Sequence, residues 1–148
     1  MTLETEVQSL RQVPMFRGIE PSRLKLLAFT SERIRFTAGQ TFFSQGDAAD
    51  AAYVILDGRA DVLLDAAGGQ FKVAELGRNA LVGEMGILSE TPRSATVVAV
   101  EQTIALRIDK RVFLDLLTQF PQMSIAVMRE LASRLERTNA QLLARSGQ

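Results

Sequence analysis

From Arg33 to Ile108 the chain breaks into short runs of β-branched and aromatic residues, IRF, TFF, YVIL, ADVLL, FKVAEL, ATVVAV and TIALRI, parted by glycine-bearing turns. Such runs are too short for helices, and their close spacing predicts antiparallel strands closed into a β-sandwich or jelly-roll barrel. Gly68 and Gly69 mark the hairpin tip, because both can take the positive φ that a tight turn requires.

The flanks read differently. Leu3, Val7 and Leu10 recur at helical spacing before Pro14, and Leu24, Leu26, Leu27 and Phe29 follow Pro21, predicting two helices packed on one side of the domain. Beyond the strands, Asp109 suits an N-cap, and Val112, Phe113, Leu116 and Leu117 form one apolar stripe. Phe120-Pro121 breaks that stripe and opens a long last helix. On it Met128, Leu131, Leu135, Thr138 and Leu142 follow heptad spacing. The seam has two readings: an amphipathic helix folded down on the β-roll, or a parallel two-fold dimer along this helix.

With 148 residues, 47% of them apolar, the chain can build one core, so a single domain spanning 1–148 is expected. Lysine plus arginine balance aspartate plus glutamate at 17 each, which offers no footprint for DNA or an anionic membrane. The absence of cysteine and histidine removes disulfides, thiolate nucleophiles, histidine-ligated metals and histidine triads. The first residues, MTLETEVQSLRQV, carry acids and no apolar run of leader length, and no later run is long enough to span a bilayer. A cytoplasmic protein without membrane insertion is the expectation.

The segment richest in chemistry is Gly83 to Val97, GEMGILSETPRSATV. It sets Glu84 and Arg93 nine residues apart, with glycines at one end and small hydroxyl residues at the other. Such a loop suits an anionic sugar phosphate. Backbone N–H groups of a glycine-started turn face the phosphate, Arg93 neutralises it, and Glu84 accepts ribose hydroxyl protons. Each residue also has a plainer reading: Arg93 as a turn-steadying ion pair, Glu84 as an acid at a helix N-terminus, Ser94 as a turn hydroxyl. This chemistry holds a nucleotide and supplies no group for cleaving one.

The same segment resembles the phosphate-binding cassette of cyclic-nucleotide-binding domains, the family of protein kinase A regulatory subunits, cyclic-nucleotide-gated channels and the bacterial catabolite activator. Gly83, Glu84, Met85, Gly86, Pro92, Arg93, Ser94, Ala95, Thr96 and Val97 follow the cassette order FGE(L/I)AL…PR(A/S/T)ATV. Upstream, QGDAADAAYVILDG is similar to the family's QGDxGDxxYVIxxG, and Val13 to Ala28 resembles its helical entry. Counted without gaps from Arg93, the spacing to Phe113, Pro121, Leu135 and Thr138 resembles that of the catabolite-activator branch.

The resemblance implies an eight-stranded jelly-roll, mainly β with flanking helices: an N-terminal helical entry over 1–31, the β-roll over 32–108 with its cassette at 83–97, and a hinge helix and long terminal helix over 109–148. It implies that Gly83, Glu84, Met85, Arg93, Ser94 and Ala95 contact the ligand, and that Asp50 holds Arg93 in place. It also implies that Thr138 meets the base and that Asn139, where the activator has serine, reaches across from a second subunit of a homodimer. Ser94 together with Thr138 favours cyclic AMP over cyclic GMP, and no cofactor or metal is implied. Val62, Leu64, Val73 and Leu76 could wall the base, although ordinary β-roll core is the stronger reading for each.

The function these readings imply is a cyclic-nucleotide sensor or regulatory module acting on an unknown protein effector. Because the chain ends at Gln148, soon after the helical pattern, the expectation is a free-standing module without a DNA-binding or catalytic domain. Two alternatives remain open: a β-roll interaction or scaffold protein without ligand, and a cyclic-GMP module. An enzyme is not expected, since a metal-dependent jelly-roll would need histidines.

Overall fold

The structure, a computed structural model, describes residues 2–146. Eight antiparallel strands form two four-stranded sheets: β1 (Glu32–Phe36), β2 (Thr41–Phe43), β3 (Ala51–Asp57), β4 (Ala60–Ala66), β5 (Gly69–Leu76), β6 (Leu81–Val82), β7 (Thr96–Ala99) and β8 (Thr103–Asp109). One sheet runs β1-β8-β3-β6 and the other β2-β7-β4-β5. This is the expected jelly-roll, and the strand that escaped the sequence pattern is β6, whose two residues are too few to show a period.

Among the described residues five α-helices accompany the roll: α1 (Leu3–Gln12) and α2 (Pro21–Thr30) before it, α3 (Glu84–Ser89) inside the cassette, and α4 (Lys110–Gln119) and α5 (Pro121–Ser146) after it. A 3-10 turn at Pro14–Phe16 joins α1 to α2. Asp109 caps α4 as expected, its carboxylate accepting from the Arg111 N–H at 2.9 Å.

Strand β3 explains how helices and sheets share one molecule. Every residue from Ala51 to Leu56 is buried. Ala52, Val54 and Leu56 face the helices, packing with Leu10, Phe16, Leu24, Leu106, Phe113 and Met123. Ala51, Tyr53 and Ile55 face the roll interior, where Phe36 and Phe42 stack with ring centroids 4.0 Å apart. A strand covered on both faces reads as the continuous apolar run seen here, without polar alternation.

Two apolar patterns promise more burial than the fold delivers. In α2 only Leu24, Leu27 and Ala28 are buried, whereas Leu26 and Phe29 point outward, Phe29 being 76% exposed. Of the strand residues named beside the base, Val62 and Leu76 pack against the inter-sheet cluster, but Leu64 and Val73 are exposed. A bulge causes part of this: Val62 pairs with Ala74 and Leu63 with Lys72, leaving Val73 opposite neither. The hairpin itself turns where expected, with Ala66 paired to Gly69 and both glycines at positive φ.

Helix α5 divides in two. Met123 and Val127 are buried in the helical cluster, whereas every residue from Leu131 to Ala144 is exposed. The heptad residues Met128, Leu131, Leu135 and Leu142 are therefore not folded onto the roll of their own chain, Leu135 being 61% exposed.

Candidate functional site

Strands β3 and β6 build the site's floor. Tyr53 pairs with Val82, so continuing the antiparallel register puts Gly83, the residue after β6, opposite Ala52 and one residue from Ala51 at the start of β3. Gly83 and Ala51 turn their carbonyls to one guanidinium: Arg93 Nη1 donates to Gly83 O and Nη2 to Ala51 O. Arg93 is 3% exposed, and its Cζ lies 3.9 Å from the centroid of the Phe43 ring. Burial pushes the Arg93 guanidinium below its usual pKa range, while Tyr53, Asp50, Asp47 and Glu84 pull it upward.

The loop between β2 and β3 fixes the backbone of Arg93. Its N–H donates to Asp47 O at 2.7 Å, and its carbonyl accepts from Gly46 N–H at 2.8 Å. The turn that presents Gly46 needs its φ of +93°, and Asp47 closes it by accepting from Ser44 N–H at 2.9 Å. Gly83 adopts φ +84°, where a Cβ would lie 2.5 Å from Arg93 Nη1 and 3.0 Å from Phe43 Cε2. Only glycine fits between them.

Arg93 has donors to spare, since a guanidinium carries five N–H bonds and the two carbonyls take one from each terminal nitrogen. Its Nε is buried without a hydrogen-bond partner. An orphaned donor of this kind costs about 1 to 3 kcal/mol, a cost that an incoming oxyanion would relieve.

Glu84 opens α3 and is 5% exposed. Its Oε1 accepts from Arg134 Nη2 on α5 at 3.2 Å. Arg134 also donates from Nε to Glu130 at 3.1 Å, so it bridges the cassette carboxylate to its own helix. The pair borders a cavity of about 200 Å³ between the 3-10 turn, β6 and α5, lined by Pro14, Met15, Ala80, Leu81, Ala126 and Glu130 among others.

The remaining expected residues are placed less tightly. Asp50 lies 4.0 Å from Arg93 and closer, at 3.4 Å, to Arg107; its side chain is 70% exposed. It sits between two arginines, and the carbonyls and Phe43 make the nearer contacts to Arg93. Desolvation lowers the pKa of Arg107, but its hydrogen bond with Tyr53 and the charges of Asp50 and Asp109 outweigh that and raise it. Met85 and Ala95 are half-buried and Ser94 is exposed at the mouth of the cassette. Thr138 and Asn139 are exposed on α5, the Thr138 hydroxyl donating back to Arg134 O at 3.0 Å. Thr138 follows Arg134 by one helical turn, so both stand on the face of α5 that reaches Glu84.

Sequence reading missed Phe43, Arg107 and Arg134. Arg134 stands in a run of charges, Glu130, Arg134 and Arg137, that reads as a solvated face; its position one turn before Thr138 was the available signal. Arg107 pairs across the sheet with Tyr53, a relation visible only once register is known. Among the described residues no group of three or more His, Cys, Asp or Glu could hold a metal ion. No helix among them is long and apolar enough to cross a membrane.

Comparison with known proteins agrees with this geometry. The family model for the cyclic nucleotide-binding domain matches residues 33–120. The cyclic AMP receptor protein of Thermus thermophilus is 33% identical over 130 residues, 87% of this chain and 60% of that protein. Lysophospholipase NTE1 of Phaeosphaeria nodorum is 32% identical over 116 residues, 78% of this chain and 8% of that protein. Among solved structures, the Thermus thermophilus catabolite activator protein superposes with a TM-score of 0.81 at 32% identity, covering 90% of this chain and 63% of that one. The chain thus spans less than two thirds of the curated relatives it matches. By its fold, its cassette and the extent of these matches, the chain belongs to the cyclic nucleotide-binding domain family.

Proposed function

We propose that these residues form a cyclic-AMP sensor that regulates and does not catalyse. The observation that carries this reading is Arg93: a buried guanidinium, clamped by two carbonyls, with its Nε left unpartnered inside a matching cassette. The cyclic phosphate meets Arg93 and Ser94, with backbone and close approach supplied by Gly83, Met85 and Ala95, and Asp50 steadies the arginine from the solvent side. The ribose 2′-hydroxyl donates to Glu84, and Thr138 contacts the base. Similarity to the cyclic AMP receptor protein of Thermus thermophilus supports cyclic AMP as the ligand.

A sensor requires a ligand that prefers one of two states. Glu84 is the element shared by both. Without ligand it belongs to Arg134 on α5; with ligand it also serves the ribose, so occupancy changes what anchors α5 to the roll. The exposed heptad of α5 then pairs with a second copy, whose Asn139 completes the base end of the site.

Thermal unfolding with cyclic AMP, cyclic GMP and 5′-AMP tests this reading. Cyclic AMP at a hundred times its dissociation constant should raise the midpoint by about 5 to 10 °C. Cyclic GMP should do so less and 5′-AMP not at all. No shift with either cyclic nucleotide would favour a β-roll that serves as an interaction module without ligand, whose charged residues are satisfied by the protein alone.

A further inference from the structure

The ring beneath Arg93 is part of the site. Phe43 reaches it through a local irregularity: β2 pairs Thr41 with Val98 and Phe43 with Val97, so the register shifts between them. Side chains on a regular strand alternate between faces, but this bulge turns both Phe42 and Phe43 toward the inter-sheet cluster. Phe42 stacks on Phe36 in the interior, while Phe43 stays half-buried at the edge, beneath the guanidinium. Gly83 packs against the Phe43 ring and the Arg93 guanidinium together, with no room for a methyl group.

Each contact removes one freedom from Arg93. The carbonyls of Gly83 and Ala51 take an N–H from each terminal nitrogen, which fixes rotation within the guanidinium plane. They do not fix its tilt. The ring, 3.9 Å from Cζ, does so, because a cation held over an aromatic face loses energy when it lifts away. The buried, unpartnered Nε–H is thereby held at a defined place.

We propose that Phe43 is the positioning residue for Arg93: its π face holds the guanidinium at the tilt in which it meets an incoming oxyanion. The proposal rests on the reading of Arg93 as the phosphate ligand. Because the effect sits at the phosphate, removing the ring weakens cyclic AMP and cyclic GMP by the same factor, leaving base preference unchanged.

The test compares Phe43→Leu, which keeps apolar volume without the π face, with Phe43→Tyr, which keeps both. The first readout is the Arg93 Nε–H proton resonance of the ligand-free protein, and the second is affinity for each cyclic nucleotide by calorimetry. In the natural sequence the ring current should hold the resonance upfield, and Phe43→Leu should release it. Phe43→Leu should weaken both nucleotides by roughly fivefold to thirtyfold, and Phe43→Tyr should stay within about twofold. If Phe43→Leu fails to fold, Phe43→Met takes its place. An Arg93 resonance that does not move in Phe43→Leu, or equal loss of affinity in the Leu and Tyr variants, would overturn the proposal. If the natural sequence binds neither nucleotide while the resonance moves as described, the phosphate reading fails and the hold of Phe43 on Arg93 stands.

Discussion

The cassette and the distal half of α5 carry opposite kinds of surface. Between Gly83 and Arg93 the two buried charged side chains, Glu84 and Arg93, are 5% and 3% exposed, and each is engaged within its own chain, Glu84 by Arg134 and Arg93 by two carbonyls and a ring. From Leu131 to Leu142, α5 presents leucines to solvent at heptad spacing. The cassette, the proposed phosphate end, is thus preorganised by one chain, whereas the distal part of α5, proposed to meet the base, stays exposed in the single chain. The physical reason is reach. A cassette arginine can be clamped by strands that register already brings together, but beyond Val127 the described residues of α5 bury no further side chain and meet the cassette through the Arg134–Glu84 pair.

Substitutions can break this contrast from either side. The largest effect should come from the α5 surface. Leu135→Lys places a charge in the apolar seam and should weaken the proposed self-association by at least about a hundredfold, read by sedimentation. Its unfolding at concentrations where both proteins are monomeric should match the natural sequence, because Leu135 is exposed in the single chain. A variant that still dimerises would return α5 to the status of an ordinary exposed helix.

Next comes Gly83→Ala. At φ +84° and with Arg93 Nη1 only 2.5 Å from the added Cβ, it should destabilise by about 1 to 3 kcal/mol and push Arg93 off its carbonyls. Chemical denaturation reads the stability, and loss of nucleotide affinity should accompany it without any change in dimerisation.

Glu84→Gln is smaller and joins the two regions. It removes the charge that Arg134 pairs with, and should weaken cyclic AMP by about tenfold while speeding amide exchange in α5 near Arg134. Unchanged affinity with faster exchange would make Glu84 an anchor for α5 alone.

The smallest effect is expected at the hairpin. The hydrogen bond from Lys72 holds the Glu75 carboxyl below its usual range, with the Lys72 charge adding to it. A lowered folded value means that any stabilisation is present above the ordinary glutamate range and fades as pH falls through the lowered value. The pair is exposed, so Glu75→Gln should leave the pH dependence of unfolding unchanged within error.

The roll and its cassette were legible because they are written locally. Gly68-Gly69, the unbroken run of β3 and the Asp109 cap each express their structure within a few residues. What stayed hidden depends on register or distance. Phe43 looked like any strand phenylalanine until the bulge turned it, and Arg134 meets Glu84 across fifty positions of sequence. In α2, Leu26 and Phe29 match a helical pattern yet face outward, because periodicity counts apolar residues without knowing how wide a stripe the neighbour covers.

The most direct test of the central claim is calorimetric titration of the nucleotide-stripped protein with cyclic AMP, beside Arg93→Ala. Saturable binding in the natural sequence that weakens by at least roughly thirtyfold in the variant is the predicted result. Equal affinity in both would show that the clamped guanidinium is a structural brace and not the phosphate ligand.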